Sequence, residues 1–437
     1  MAKTQIITGI DIGTDKIKLL IVRKDVETGK IIDVLFFDKI DSLGIQKGRI
    51  KNVQEVGKKI KELLSRAQER KVPRSREVFV NINGNKLELI NTRGLISVAR
   101  ADQKVSQEDV DRIFQEAKTI NLQSTNREIL NEFPKEWILD GEKEIKDPLG
   151  LKGKRLELEA FLLSAFSADT EGIGDALSQA GIEIDDKNIV PSPLAATRSV
   201  LTLPQKELGV ALVDIGAGAS SVVIYEEGKL LNLAVFPVGS SNITNDIAIG
   251  LKTEIEIAEK IKKDYGSCSP LKGSGKKIEM DLSSFAESEK EKMEIGVIKE
   301  DDAPKKKEIK KNKNNKNTLV FSEKQLRKII EARVCEIFDL IDKEIKKVSR
   351  QELLPGGIVL TGGGAKLSGI VELAKKEFNL PCRIGYPKDF MALEKDSSLA
   401  TVCGLVMDDS EDEITGELAE EEGFWKKIKK FFSNFIP

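Results

Sequence analysis

Two aspartates, each followed at once by isoleucine and glycine, stand about half a chain apart. Asp11 lies in IITGIDIGTDKIKLLIV, residues Ile6 to Val22, and Asp214 in GVALVDIGAGASSVVIY, residues Gly209 to Tyr225. In both, an apolar strand runs into Asp-Ile-Gly, a turn of small or polar residues follows, and a second apolar strand leads away. The chemistry of such a turn is phosphate binding. Gly13, Gly216 and Gly218 let backbone N–H groups approach a polyphosphate with no Cβ in the way, and Thr14 and Ser220 supply hydroxyl donors. Asp11 and Asp214 suit a hydrated Mg²⁺, held through water, better than phosphate itself, because like charges repel. A single strand-glycine-strand turn is commonplace; the repetition in matching context points to a nucleotide.

A third element belongs with these two. The apolar strand that starts at Gly357 ends in Gly362, Gly363 and Gly364, and a helix is expected from about Leu367. Strand, glycines and helix N-terminus together offer a flat backbone surface and a positive dipole end. The GxGxxG spacing of a dinucleotide turn is absent. So is histidine, which excludes Ser-His-Asp hydrolysis, histidine metal sites and histidine phosphotransfer. Cys268, Cys335, Cys382 and Cys403 are far apart, with no CxxC pair and no secretory leader before them, so a reduced cytoplasmic protein without a cysteine metal site is expected.

These residues need a scaffold of mixed elements. The chain of 437 residues is long enough for about three domains. Strand-like runs at Gln5–Gly9, Lys16–Val22, Val78–Ile82, Leu208–Asp214 and Ser221–Tyr225 alternate with helical runs at Val53–Gln68 and Phe321–Lys347. Ser106 and Asp109 form a capping box for a helix whose apolar face includes Val110, Ile113, Phe114 and Ala117. The fold class is therefore α/β.

Charge is segregated along the chain. The 70 basic and 72 acidic residues leave a net charge of −2, which argues against a surface built for nucleic acid, and no nucleic-acid partner is expected. Lys305 to Lys316 holds seven lysines and one acid, and reads as a solvated loop. Asp408 to Glu422 holds nine acids and no base, and reads as a flexible tether. Beyond it, Phe424, Trp425, Ile428, Phe431, Phe432, Phe435 and Ile436 recur at helical period, with Lys426, Lys427, Lys429 and Lys430 on the remaining face or its flanks. An aromatic face beside lysines is how a helix lies in the headgroup region of an anionic membrane. No stretch approaches the roughly 18 apolar residues that span a bilayer, so the contact expected is peripheral.

The set DIGTDK, DIGAGAS and LTGGGAKLSG resembles the actin-like ATPase superfamily. RKDVETGKIIDV, KGRIKNVQEV, DPLGLKGKRLELEAFLLSA, VPSPLAATRSVLT, SSNITNDIAIGL before AEKIKKDYG, and the terminal GFWKKIKKFFSNF narrow the resemblance to the bacterial FtsA cell-division family. That resemblance implies a two-lobed actin-like (ribonuclease-H-like) ATPase fold, an FtsA-type 1C subdomain and a C-terminal amphipathic helix. It implies ATP and Mg²⁺ as ligands, with Asp11, Gly13, Thr14 and Lys16 in the first phosphate motif and Asp214, Gly216, Ala217, Gly218 and Ser220 in the second. Glu259 and Lys262 fall in its AExxK helix beside adenine and ribose, and Gly362, Gly363 and Gly364 in its adenosine motif.

The resemblance also implies an organisation: subdomain 1A at about 1–83, completed by about 164–200 and 368–404; 1C at 84–163; 2A at 201–247 and 346–367; and 2B at 248–345, carrying the insertion at about 299–317. An acidic linker at 407–422 and a membrane-targeting helix at 423–437 would follow. Implied partners are the C-terminal peptide of FtsZ at 2B, other division proteins at 1C, further copies of the chain in filaments, and anionic lipids at the cytoplasmic face of the membrane at the septum. Two departures bear on chemistry. Ala217 and Ala219 stand where relatives commonly have Gly and Thr, and Ser192 stands where filament-forming relatives carry a water-positioning Glu, so ATP hydrolysis is expected to be slow at most. A small-molecule kinase of the same superfamily and an actin-like assembly protein of a pilus or secretion system are the alternatives.

Overall fold

A computed structural model describes residues 3–407 apart from 74, 76, 123–125, 270–275, 282–317, 349–353, 391 and 394. The lysine-rich insertion, the acidic run from Asp408 and the aromatic tail therefore lie outside the described residues. Two compact units are formed. One holds the chain up to Gly239, Leu340–Ala365 and the described residues from Leu380; the other holds Ser240–Asp339 and Lys366–Asn379.

The first unit is built on two five-stranded sheets with the same hairpin at their centres. In one, the order is Ile189–Pro191, Glu77–Ile82, Thr4–Ile12, Lys16–Asp25, Ile31–Asp41. In the other it is Lys229–Phe236, Ser220–Glu226, Val210–Ile215, Ile358–Thr361, Cys382–Ile384. Each hairpin is antiparallel, and its Asp-bearing strand also pairs in parallel with a strand from far along the chain. These strands are buried on both faces, which is why they read as near-continuous apolar runs rather than as an alternation.

Helix Val53–Glu69 starts where the Asn52 side chain accepts from Glu55 N, and it buries Val56, Ile60, Leu63 and Ala67 at helical spacing. That stripe meets Ile10, Ile17, Leu19 and Val80 of the first sheet and Ile173 and Leu177 of helix Ser167–Gln179. Helix Ser192–Val200 is buried along its whole length; its Ala196 shares a core with Ala400 of helix Ala400–Gly404.

A separate four-stranded sheet in the order Glu88–Ser97, Arg155–Phe166, Arg127–Leu139, Glu142–Ile145 carries helix Gln107–Leu122 on one face. The capping box expected there is present: Asp109 Oδ2 accepts from Ser106 N and Oγ, while Asp109 N points back at Ser106 Oγ. Val110 and Ile113 meet Trp137, Leu156 and Leu158 below.

Three elements start two or three residues later than the sequence expectation. The strand expected from Leu208 begins at Val210, because helix Leu203–Leu208, opened by a Thr202–Gln205 capping box, occupies the preceding residues. The long helix expected from Phe321 begins at Glu323, because Phe321 belongs to strand Thr318–Ser322, opposite Ile278 of Lys277–Asp281, with its ring edge-on to Tyr265. The helix expected from Leu367 begins at Ile370, after a left-handed Gly369. In the second unit, helices Ser240–Leu251 and Ile255–Tyr265 join this hairpin and the N-terminal part of helix Glu323–Val348.

Candidate phosphate-binding site

The two Asp-Ile-Gly turns have one geometry. Gly13 N donates to Lys16 O at 3.2 Å and Gly216 N to Ala219 O at 2.9 Å, so each hairpin closes on the glycine that follows Asp-Ile. Among the described residues the turn amides of Thr14, Asp15, Ala217 and Gly218 have no protein acceptor. The turns abut: a Cβ on Gly218 would lie 2.6 Å from Thr14 Oγ1 and 2.8 Å from its methyl, so only glycine permits the approach. Thr14 Oγ1 accepts from Gly48 N at 3.1 Å, which leaves its own proton for a ligand. Ser42 braces the same turn, its hydroxyl donating to Gly13 O and its amide to Asp15 O.

Behind the turns lie the carboxylates. Asp11 is 5% exposed, and each of its oxygens accepts one bond: Lys18 Nζ reaches Oδ2 at 2.6 Å and Asn81 Nδ2 reaches Oδ1 at 2.9 Å, which leaves acceptor capacity on both. Burial works against the Lys18 ammonium, yet Asp11, supported by Asp214 and Asp396, holds its pKa above the usual lysine value. Among the described residues, no side chain donates to Asp214 in this way. Burial, with Asp11 as a second negative charge, pushes it up from 3.8 to about 6, against the opposing pull of Lys18. The Ser220 hydroxyl is buried with no partner among the described residues.

The third glycine run joins this unit. Gly362 adopts φ +85°, and a side chain there would collide with Asp214 Oδ1 and Ile215 O. Its amide donates to Ser397 O, and Ser397 Oγ donates back to Gly362 O. Gly363 and Gly364 follow, Gly364 lying against Ile215 and opening a short 3₁₀ turn to Lys366.

Lys16 is ion-paired with Asp41 on the neighbouring strand, whereas Lys18, which the sequence reading passed over, holds Asp11. Pairing out from the turn would have found it, since residue 18 stands opposite residue 11. Ser192 is buried; its hydroxyl donates to Ile82 O at 3.1 Å and accepts from Asn81 at 2.8 Å. Glu259 and Lys262 lie in the second unit, 2.6 Å apart, and both bond Thr244 Oγ1. Burial opposes the Glu259 carboxylate, but Lys262 and Thr244 hold its pKa below the usual value.

A nucleotide with a hydrated cation fits these residues: unclaimed amides, an unpartnered buried hydroxyl, and two carboxylates served by one lysine, an imbalance that a cation would relieve. Among the described residues, no three Cys, Asp or Glu side chains cluster closely enough to hold a metal alone, and no helix is long and apolar enough to cross a membrane.

Comparisons with known proteins agree on a family. A profile described as "Cell division protein FtsA" matches residues 211–404, and one described as "SHS2 domain inserted in FTSA" matches residues 84–164. Cell division protein FtsA of Pseudomonas aeruginosa is 30% identical over 407 residues, covering 92% of this chain and 89% of that protein. FtsA of Bacillus subtilis is 31% identical over 406 residues, covering 93% and 84%. Among solved structures, a PilM–PilN type IV pilus biogenesis complex matches with a TM-score of 0.60 at 16% identity, covering 92% of this chain and 97% of that one. MreB5 of Spiroplasma citri bound to ADP matches with a TM-score of 0.50 at 13% identity, covering 98% and 99%. At these identities the structural likeness speaks for the fold alone.

Proposed function

This chain belongs to the FtsA family of cell-division proteins and has an actin-like fold, and from that premise we propose that it is an ATP-binding adaptor that polymerises on the cytoplasmic face of the membrane at the septum. The observation that carries the nucleotide reading is the abutting pair of glycine turns, with Asp11 and Asp214 behind them and Lys18 as the cation. The structural likeness to an MreB5 bound to ADP supports it at the level of fold. Thr14, Ala217, Gly218 and Ser220 would hold phosphates, with Gly13 and Gly216 shaping the turns that present them. Asp11 and Asp214 would hold Mg²⁺ through water, whose chemistry is to neutralise the polyphosphate. Gly362, Gly363 and Gly364 would address the nucleoside; for Glu259 and Lys262, in the second unit, a nucleoside role rests on the family resemblance alone. The Ser192 hydroxyl is engaged both as donor and as acceptor, which supports hydrolysis that is slow at most.

The division role assigns the C-terminal peptide of FtsZ to the region 248–345, other division proteins to 84–163, and anionic lipid to Phe424–Ile436. Four lysines near an anionic surface contribute roughly 1 kcal/mol each, and polymerisation multiplies weak anchors by avidity.

Liposome co-sedimentation with and without ATP, comparing the intact chain with one ending at Gly423, tests the anchor. Loss of binding on truncation is expected; unchanged binding sinks the membrane reading. Adding the C-terminal peptide of FtsZ separates the division role from a pilus role. A stoichiometric phosphorylated acceptor would establish the kinase alternative instead.

A further inference from the structure

Asn81 was not among the residues singled out from the sequence, yet it sits at the junction of three segments. It lies on strand Glu77–Ile82, between the Asp11 strand on one side and Ile189–Pro191 on the other. Its side chain is almost wholly buried, at 3% exposure. Oδ1 accepts from Ile12 N at 2.6 Å, and Nδ2 donates to Asp11 Oδ1 at 2.9 Å and to Ser192 Oγ at 2.8 Å. Ser192 Oγ passes its own proton on to Ile82 O.

The orientation of this amide is dictated by its neighbours. Turned over, it would set Nδ2 against the Ile12 N–H and Oδ1 against a carboxylate oxygen, two repulsive contacts in place of two bonds. The amide is thus locked with its donors on Asp11 and Ser192, and a locked donor fixes the plane of the carboxylate it holds. Lys18 grips the other oxygen, but one contact alone would let the carboxylate pivot about Oδ2. Among the described residues Asp214 has no equivalent of either group: Ser221 stands opposite it in the hairpin.

We infer that Asn81 is the positioning residue for Asp11: its amide holds that carboxylate in the single orientation from which it takes the hydrated cation of a bound nucleotide. Ser192 is the rear support of this amide, so the helix that begins at Ser192 is tied through Asn81 to the first phosphate turn. The inference rests on the nucleotide reading above and assigns Asn81 the cation dependence of that binding, separate from binding of the nucleotide itself.

The test titrates Mg²⁺ into the full chain with a fluorescent ATP analogue, beginning in EDTA. In wild type, Mg²⁺ should tighten binding. Asn81→Ala should weaken the Mg²⁺-dependent affinity by about tenfold, the loss expected for a hydrogen bond to a charged group, while metal-free affinity stays within about twofold. In an Asp11→Asn background the same substitution should have no further effect on Mg²⁺ dependence, because the carboxylate it positions is gone. Asn81→Leu, which retains volume, is used if Asn81→Ala does not fold. An unchanged Mg²⁺ dependence in a folded Asn81 variant overturns the inference, as does an equal effect in the Asp11→Asn background or an equal loss with and without metal. A wild-type chain that binds no ATP analogue at all overturns the nucleotide reading itself, a result distinguishable from these.

Discussion

Lys18 and Asp11 face each other across the first hairpin, Nζ to Oδ2 at 2.6 Å, while the residue facing Asp214 across the second is Ser221. The repeat is therefore symmetric in backbone and asymmetric in charge. Removing the lysine leaves a buried carboxylate with one amide donor and a second carboxylate beside it. Lys18→Met should lower the stability of the ligand-free chain by about 3 kcal/mol, the scale for breaking one partner of a buried pair. Urea unfolding at neutral pH without divalent cations measures this, and equal midpoints would show that the pair contributes nothing.

Asp214 sets a pH dependence of opposite sign to the usual carboxylate. Its folded pKa, raised to about 6, exceeds the unfolded value near 3.8. Between those values the folded state keeps a proton the unfolded state has released, so this group's contribution to stability falls as pH rises through that window and stays low above it. Asp214→Asn removes the cost. In metal-free buffer its melting temperature should exceed that of wild type most at about pH 7, with the gap closing towards about pH 4. A gap that widens on acidification would refute the assignment.

The approach of the two turns leaves no room for a methyl group. Gly218→Ala should cost about 1–3 kcal/mol, because the new Cβ meets Thr14 Oγ1 and Cγ2, and Thr14 cannot turn away without losing the Gly48 amide. Thr14→Ser, which removes the methyl, should recover part of the loss. Chemical denaturation of the two single variants and the double variant reads the coupling. Strict additivity would mean the turns do not touch in solution.

Asp109 anchors the inserted sheet-and-helix region by accepting from Ala99 N, Ser106 N and Ser106 Oγ while fully buried. Asp109→Ala strands those donors and should cost about 1–3 kcal/mol. Hydrogen exchange should rise within residues 84–164 and stay unchanged in helix Val53–Glu69. Uniform exchange over both would show that the region does not open by itself.

Part of this protein was legible without coordinates. The hairpin repeat, its glycines and its aspartates were readable because a glycine turn between two buried strands has a local signature: an apolar run, a small-residue turn, an apolar run. Helix Val53–Glu69 and the Ser106–Asp109 cap were readable for the same reason, since caps and helical periods span only a few residues. The start of helix Glu323–Val348 is not legible locally, because Phe321 is apolar in either element, and only its partner Ile278, more than forty residues earlier in the chain, makes it a strand.

The type of chemistry expected is legible locally: glycine turns suited to phosphate, an aspartate two residues before the glycine in each, and no histidine. How each group is employed depends on which strands lie side by side. Asn81 and Gly48 carry no local signal, being ordinary polar or small residues in unrelated segments, and Ser192 stands out only through the family resemblance. Parallel pairing of Thr4–Ile12 with Glu77–Ile82, and of Glu77–Ile82 with Ile189–Pro191, sets Asn81 between Asp11 and Ser192 across sequence separations of 70 and 111 residues. Hydrogen bonds act over about 3 Å and carry no trace of sequence distance, so the residues that orient Asp11 become visible only once the strands are side by side.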